Sequence, residues 1–370
     1  MHFQHIRGSD DHKEAGDISV LAHISHTLPL EDLRVACHEI SLFFVALFMM
    51  LNTTGPTLMT ELNATLTPMK ERSLLGVTIL AALVTALNLL LNPLMLVTLR
   101  RVTSIQPTTK VLMASLTVSD LCNGIFSAFR LPELATGAWP LGDFLCAASG
   151  VLTYTFHVLS ILSLLVLTAD RYLAIAYPLR YPTLVTESRI KIVVGIKWVA
   201  SVTLCTVLFG ILDHKKVLSD RYFRLCVWNP YSDWQTYAFM ALILVAFFAI
   251  HILYMCIRRI ALRHARQIAV DNQAGPEGRG GGRASIARST TTILIITTTL
   301  MLTWWPPVVI YRYLLTNEED FTTLYHGSIS ADILLISNSW LNVIIYYLRN
   351  NDLRQALHRL FVAWYQHLFH

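Results

Sequence analysis

Polar side chains lie inside several long apolar stretches of this 370-residue sequence. Asp120 is a carboxylate in the middle of one stretch, and serines and asparagines recur in others. Polar groups at membrane depth are costly, so they rarely occur there without a function. A single such residue also serves to join neighbouring helices, but a set that includes a carboxylate favours a functional polar cluster. The residues concerned are Asn92, Asp120, Ser160, Asn338, Ser339 and Asn342.

The elements that carry these residues are predicted to be membrane-spanning helices. Seven apolar runs are each long enough to cross about 30 Å of hydrocarbon as a helix. Only 14% of the residues are charged, whereas soluble domains carry about 25%. The sequence therefore predicts an all-α membrane protein, a bundle of seven transmembrane helices. The runs cover residues 74–99, 109–129, 144–169, 190–212, 236–257, 291–314 and 325–348.

The chain is predicted to have three parts. Residues 1–73 form an extracellular N-terminal segment, residues 74–348 form the transmembrane domain, and residues 349–370 form a short amphipathic helix in the headgroup plane. Residues 40–51 are apolar but too short to span a membrane. We interpret them as a signal-like or interfacial segment, with an eighth span as the alternative.

Charged residues between the runs predict the orientation of the bundle. Arginine and lysine dominate alternate connections, and the third of these carries seven arginines between residues 258 and 288. By the positive-inside rule these connections are cytoplasmic, so the N-terminus lies outside and the C-terminus inside. The glycosylation sequons at Asn52 and Asn63 agree with that orientation.

Other classes of function are less well supported. Nucleic-acid binding requires a basic face on a soluble module, and none is visible in this sequence, whose net charge is +5. An enzyme is not expected, because the sequence has no G-x-S-x-G, H-E-x-x-H or paired-aspartate pattern. A transporter tends to show internal repeats, and we find none.

Short motifs along the runs resemble those of rhodopsin-like (class A) G-protein-coupled receptors. Residues 116–120 resemble the LxxxD motif of the second helix, and Asp170-Arg171-Tyr172 matches the DRY triplet that ends the third. Residues 304–306 resemble the WxP motif of the sixth helix, and residues 342–346 resemble the NPxxY motif of the seventh. Each motif is weak alone, but their order and spacing identify the family.

The resemblance implies a receptor that transmits an extracellular ligand signal to a cytoplasmic heterotrimeric G protein. Arg171 would leave Asp170 on activation and contact the G protein, and Leu179 would dock on it. A disulfide between Cys146 and Cys226 would join the third helix to the second outer loop. The residues implied in coupling and activation are Asp170, Arg171, Tyr172, Leu179, Tyr254 and Tyr346.

The resemblance also implies a sodium site within the polar cluster. A carboxylate with hydroxyl and amide oxygens suits a hard cation such as Na⁺, and Asp120 and Ser160 are its expected ligands. No other cofactor is expected. A hydrated polar network without a metal is the alternative. The implied network comprises Asn92, Asp120, Ser160, Trp304, Asn338 and Asn342.

Several positions depart from the family pattern. Ala246 and Leu300 stand where proline and phenylalanine are common, and Val343 replaces the proline of the seventh helix, which we therefore expect to bend less. Ile286 stands where many members carry an acid that pairs with Arg171. The loss of that restraint predicts ligand-independent signalling.

The C-terminal tail contains no serine or threonine after Ser339. It therefore offers no serine or threonine to accept a phosphate, and phosphate charge is what recruits arrestin in relatives. We expect weak arrestin recruitment, unless Ser285, Ser289 or Thr290 supply acceptors instead.

Two positions argue against common ligand classes. The third run resembles amine-type receptors most, yet Thr153 stands in place of their amine-binding aspartate, and Ile336 stands in place of the retinal lysine of opsins. Arg130 and Asp332 are expected to face each other as an ion pair, with Asp332 as a ligand counter-ion the alternative. The candidate pocket residues, for either a small molecule or a peptide, are Arg130, Thr153, Tyr154, His157, Tyr311, Arg312 and Asp332.

We consider two interpretations of His157. A histidine satisfied within the core is favoured, and a pH-sensitive role is the alternative.

The sequence as a whole predicts a multi-pass receptor of the plasma membrane. Its partners are expected to be a heterotrimeric G protein, an extracellular ligand and membrane lipid, with no nucleic acid. A non-signalling receptor-like protein is the main alternative because of Ala246, Leu300 and Val343, and a transporter is a weaker one.

Overall fold

The computed structural model describes residues 71–212, 216–219, 224–227, 233–271, 299–300, 302–310, 313 and 321–369. Several predictions concern residues outside these ranges. They are the segment 40–51, the sequons at Asn52 and Asn63, the pocket residues Tyr311 and Arg312, and the loop residues Ser285, Ile286, Ser289 and Thr290.

Long apolar helices dominate the described residues, because a helix satisfies its backbone hydrogen bonds within one segment. Six helical spans in the described part of the chain are long and apolar enough to cross a membrane. Helical residues at 299–300, 302–310 and 313 fall within the sixth predicted run, 291–314. The predicted helical membrane bundle is confirmed. In chain order the helices are α1 (Glu71–Arg101), α2 (Pro107–Ala128), α3 (Leu131–Thr136), α4 (Gly142–Ala176), α5 (Tyr181–Leu184), α6 (Glu187–Thr206), α7 (Asp233–Asp271), α8 (Phe321–Arg349) and α9 (Asn351–Phe369).

The ends of these helices follow local sequence signals. α2 begins with Pro107, whose fixed φ and missing N–H suit the first helical position. α3 ends at Gly137, which has a φ of +71° and so adopts the left-handed conformation that glycine tolerates. α6 begins after Thr186, whose side chain accepts the N–H of Arg189. α6 then continues as a π-helical stretch, Val207–Leu212.

α4 is the central helix of the described bundle. It contacts α2, α6 and α7, and it is buried from Cys146 near its start to Asp170 near its end. α6 differs, since it buries one face and exposes apolar side chains on the other, as expected of a helix at the lipid boundary. The buried residues of α6 are Ile190, Lys197, Ser201 and Cys205.

A short β-hairpin departs from the all-α prediction. Strands β1 (Lys216–Ser219) and β2 (Arg224–Val227) pair antiparallel, with Val217 opposite Cys226. Cys226 forms the expected disulfide with Cys146 at the start of α4. Sequence reading missed the hairpin because strands of four residues carry almost no periodic signal.

α9 follows the bundle as an amphipathic helix. Asn350 caps it by accepting the N–H groups of Asp352 at 2.9 Å and Leu353 at 3.3 Å. The side chain of Leu353 is buried while that of Arg354 is exposed. Ser104, in the connection between α1 and α2, donates a hydrogen bond to the Asp352 carboxylate at 2.7 Å, which ties α9 to the bundle.

Candidate functional site

The carboxylate of Asp120 is the centre of a buried polar cluster between α2, α4 and α8. Asp120 is 1% exposed. The hydroxyls of Ser160 and Ser339 donate to its Oδ1 at 2.6 and 3.0 Å, and Asn342 Nδ2 donates to its Oδ2 at 3.3 Å. All three donors are neutral groups. The negative charge is therefore solvated by the protein but is not cancelled by a direct ion pair.

Ser339, which was expected in the polar cluster, donates to Asp120, whereas Asn338, which the resemblance implied in the sodium network, has a different partner. The Oδ1 of Asn338 instead accepts from Thr303 at 3.5 Å. Ser339 and Asn342 are three residues apart, so they share one face of α8 and reach Asp120 together. Both residues were among the polar cluster expected from the sequence.

Asn92 and Trp304 also lie elsewhere than expected. Asn92 Nδ2 donates within α1, to the backbone oxygen and the side-chain oxygen of Asn88 at 3.0 and 3.3 Å. Asn88 Nδ2 in turn donates to the carbonyl of Ile336 at 3.2 Å and joins α1 to α8. The Trp304 ring is buried and meets the ring of His157 edge-on at 6.3 Å. In the described part of the chain neither Asn92 nor Trp304 hydrogen-bonds to Asp120.

Asn123 extends the cluster on the side of α2. Its Nδ2 donates to Ser339 at 3.5 Å, and its buried Oδ1 has no hydrogen-bond partner among the described residues. An unsatisfied buried oxygen is costly. Together with a carboxylate and two hydroxyl oxygens, it gives a set of oxygen donors of the kind that a hard cation prefers. The residues present therefore fit a sodium ion.

The Asp170-Arg171-Tyr172 triplet lies at the end of α4 opposite the disulfide. Asp170 is buried, accepts a hydrogen bond from the Tyr181 hydroxyl at 2.7 Å, and lies 3.5 Å from the Arg171 guanidinium. Arg171 also donates to Thr109 near the start of α2. Burial, followed by the hydrogen bond to Asp170, raises the pKa of Tyr181. The Arg171 side chain is 45% exposed, so its restraint comes from these few contacts.

The other residues implied in coupling differ in exposure. Tyr254 on α7 is buried in the core, and Tyr346 on α8 packs against the same core. The Tyr172 ring meets that of Tyr177 edge-on at 6.5 Å. Leu179, in the connection between α4 and α5, is 94% exposed. An apolar side chain so exposed is available to a partner.

Arg130 and Asp332 face each other at the disulfide end of the bundle. Arg130 Nη1 lies 2.5 Å from Asp332 Oδ2, and its Nε lies 3.8 Å from Glu133. Glu133 is fully buried, and its Oε1 accepts the backbone N–H of Cys226 at 2.7 Å. Sequence reading did not assign this role to Glu133, which connects the ion pair to the disulfide.

A cavity opens next to this ion pair. Thr153 lines it, but two other predicted pocket residues do not. The Tyr154 ring stacks on Phe209 at 4.7 Å and meets Phe239 edge-on at 4.6 Å, within the core. His157 hydrogen-bonds the Thr153 carbonyl at 2.8 Å, as expected of a core histidine. The lining is mostly aliphatic and comprises Ala81, Val84, Thr85, Ser127, Arg130, Leu131, Leu134, Thr153, Ile329, Asp332, Ile333 and Ile336.

The order of these features along the chain is that of a known family. The family described as 7 transmembrane receptor (rhodopsin family) matches residues 91–346, which is more than half of the chain. The chain belongs to this rhodopsin family. The matched range of the receptor includes the Asp120 cluster, the disulfide and the Arg171 end of α4.

Relatives of this receptor carry several different names. It is 42% identical to mouse lysophosphatidic acid receptor 6 over 24% of this chain and 26% of that protein. It is 36% identical to rat free fatty acid receptor 3 over 27% of this chain and 31% of that protein. It is 26% identical to human muscarinic acetylcholine receptor M1 over 64% of this chain and 52% of that protein. In each comparison the match covers less than two thirds of the relative's length.

Proposed function

We propose that this receptor transmits an extracellular ligand signal to a heterotrimeric G protein at the Arg171 end of the bundle. The observation that carries the proposal is the state of Arg171, a partly exposed guanidinium held by Asp170 and Thr109. A ligand that favours a second arrangement of the helices would release Arg171 by a shift of population between two states. The exposed Leu179 supplies an apolar contact for the same partner.

Nucleotide exchange on a panel of purified G proteins tests this proposal. Arg171→Ala should abolish exchange that the wild-type receptor catalyses. Lys191→Ala is the matched control, because it removes an exposed cation, paired with Glu187, that does not contact Asp170. Equal loss of exchange in both variants would refute a specific role for Arg171, and no exchange by folded wild-type receptor would support a non-signalling receptor-like protein.

The receptor is proposed to lie in the plasma membrane with its N-terminus outside. The excess of arginine and lysine in alternate connections supports this orientation. An N-terminal epitope tag should bind antibody on intact cells, and substitution of Asn52 and Asn63 by glutamine should remove glycan mass. Staining that requires permeabilised cells would reverse the orientation.

The ligand is proposed to be an amphiphile with one acidic group. The cavity combines aliphatic walls with Arg130, whose planar guanidinium suits bidentate recognition of a carboxylate or phosphate. Two relatives are named as receptors for lysophosphatidic acid and free fatty acid. In this proposal the acidic group of the ligand replaces Asp332 on Arg130, while Glu133 continues to anchor the second outer loop.

Responses to a lysophospholipid and to fatty acids of graded length test the ligand class. Asp332→Asn should raise the potency of an acidic ligand, because it removes the competing carboxylate. Arg130→Gln should abolish the response. A response to amines that disappears with Asp332→Asn would establish the opposite assignment, in which Asp332 is the ligand counter-ion.

Asp120 and Ser160 are proposed to hold a sodium ion. The oxygen donors around Asp120 support this proposal, because Na⁺ prefers such ligands. The ion would supply a positive charge that stabilises one arrangement of α2, α4 and α8. A hydrated network without metal would leave thermal unfolding indifferent to the exchange of sodium for choline.

Ligand-independent signalling is proposed to be appreciable. Ile286 removes one acidic partner of Arg171 that is common in relatives, so Asp170, Thr109 and Tyr181 carry the restraint at this end of α4. Well-expressed receptor should raise a second messenger without added ligand. Ile286→Glu should lower that basal signal, and a basal signal equal to that of untransfected cells would refute the proposal.

Arrestin recruitment is proposed to be weak. Residues 340–370 contain no serine or threonine, and phosphate charge on such residues is the proposed basis of recruitment. Cells that coexpress a receptor kinase should recruit little arrestin to the wild type, and still less to a variant without Ser285, Ser289 and Thr290. Strong recruitment by that variant would contradict the proposal.

A further inference from the structure

Lys197 is a buried lysine on the face of α6 that points into the bundle. It is 8% exposed, whereas Ile196 and Val199 on the same helix are exposed. Its Nζ donates to Ser115 on α2 at 3.0 Å and to Ser163 on α4. Among the residues whose side chains the structure describes, no other lysine or arginine is buried to this extent.

The hydrogen-bond partners of Lys197 are neutral. The Ser115 oxygen accepts two hydrogen bonds, one from the Lys197 ammonium and one from Trp198 Nε1 at 3.0 Å. Two serine hydroxyls solvate the ammonium but do not cancel its charge. A buried charge of this kind is costly unless an opposite charge lies near.

The Asp120 cluster lies on two of the helices that contact Lys197 and supplies such a charge. Ser115 precedes Asp120 by five residues on α2, and Ser163 follows Ser160 by three residues on α4. At 1.5 Å of rise per residue, the two sites are offset by about 4.5 to 7.5 Å along the same two helices. An ammonium and a carboxylate placed this close along the same helices are expected to attract each other.

We propose that Lys197 is a built-in counter-charge for Asp120, and that it sets the affinity of the Asp120 cluster for sodium. A cation fixed between α2, α4 and α6 stabilises the carboxylate and repels a second cation that approaches it. The wild-type receptor therefore binds sodium weakly. This inference rests on the sodium site proposed above and is independent of G-protein coupling.

The expected effect is large enough to measure. At an effective dielectric constant of about 20, a unit charge within about 10 Å changes the affinity for another charge by roughly tenfold or more. Removal of the Lys197 charge should therefore tighten sodium binding by at least about tenfold.

The test is thermal unfolding of the purified receptor as sodium chloride replaces choline chloride at constant total salt. Lys197→Gln keeps hydrogen-bond donors for both serines and removes the charge. Its midpoint for sodium stabilisation should lie at least about tenfold below that of the wild type. Lys197→Met serves the same purpose if Lys197→Gln does not fold.

Two controls isolate the charge. Ser201→Ala alters another buried position on the same face of α6 and should keep the wild-type sodium midpoint, whatever its effect on stability. Asp120→Asn combined with Lys197→Gln should lose the sodium response.

Equal midpoints in the wild type and Lys197→Gln would overturn the role of Lys197 and leave the sodium site standing. A sodium response in neither protein, or one that survives Asp120→Asn, would overturn both ideas. Nucleotide exchange, measured separately, would still decide the proposed coupling to G protein.

Discussion

The Asp120 cluster and the Arg130–Asp332 pair are two different ways in which this receptor carries charge inside its helical bundle. Asp120 is almost fully buried and accepts hydrogen bonds from neutral groups of α4 and α8. Arg130 and Asp332 are 18% and 21% exposed and pair with each other directly. The first charge is solvated without being neutralised, and the second is neutralised next to an aliphatic cavity.

The two sites should therefore respond differently to an added charge. A carboxylate held by neutral donors still attracts a cation, so an ion or a nearby lysine acts on it without breaking any contact. Arg130 and Asp332 must separate before either can bind another charged group. Separation is costly because it leaves a charge unpaired inside a membrane bundle. In the proposals above, an ion acts in the middle of the bundle and a ligand at its disulfide end.

Removal of the Asp120 side chain should have the largest effect on stability. Asp120→Ala leaves the donors on Ser160, Ser339 and Asn342 buried without an acceptor, and we expect a loss of about 3 kcal/mol in the free energy of unfolding. Asp120→Asn retains an acceptor of similar shape and should cost about 1 kcal/mol. Unfolding of the purified receptor in detergent measures both. Equal losses would mean that the hydrogen bonds of the cluster are unimportant.

Gly124→Ala tests whether the helices pack as closely beside the cluster as the contacts imply. A Cβ atom at Gly124 would lie 2.8 Å from the Cβ of Asn88, so α1 and α2 must separate, at an expected cost of about 2 kcal/mol. Gly195→Ala on α6 is the matched control, because nothing lies within 4 Å of its added Cβ. If both variants lost a similar, small amount of stability, α1 and α2 would not be packed more tightly at Gly124 than α6 is at Gly195.

A double-mutant cycle on Arg130 and Asp332 measures the coupling in the closed pair. Each single alanine variant leaves its partner partly buried without its counter-ion, and the double variant removes both. We expect a coupling of about 1–2 kcal/mol, reduced from that of a fully buried pair because about a fifth of each side chain is exposed. A coupling near zero would show that the pair is open in solution.

Tyr181→Phe should have the smallest effect on stability. It removes a hydrogen bond to Asp170, a carboxylate that has both a neutral donor and a charged partner. Asp170 accepts from the neutral Tyr181 and also lies near the charged Arg171. Loss of the tyrosine hydroxyl should cost about 1 kcal/mol of stability and raise the basal rate of nucleotide exchange. An unchanged basal rate would exclude Tyr181 as a restraint on Arg171.

The difference in stability between the wild type and Tyr181→Phe should depend on pH. The pKa of Tyr181 is raised in the folded protein, so the folded state holds this proton more tightly than the unfolded state. The stabilisation is present below the ordinary tyrosine pKa of about 10 and is lost as the pH rises through the higher folded value. The stability difference between wild type and Tyr181→Phe should therefore shrink only above about pH 10.

The sequence by itself determined the spans, because hydrophobic length and internal backbone hydrogen bonding are local properties of each segment. It also identified Asp120, Asp170 and Arg171, since a charge in or beside an apolar run stands out in any context. The disulfide was expected through the resemblance and is confirmed.

Only the tertiary structure decided which polar side chains meet. Adjacent helical positions point about 100° apart, so the rotation of α8 about its axis determines whether Ser339 or Asn338 reaches Asp120. The same holds for Asn92, which bonds within α1, and for Glu133 and Lys197, whose burial depends on neighbouring helices. Packing sets these rotations, and packing depends on residues far apart in the chain.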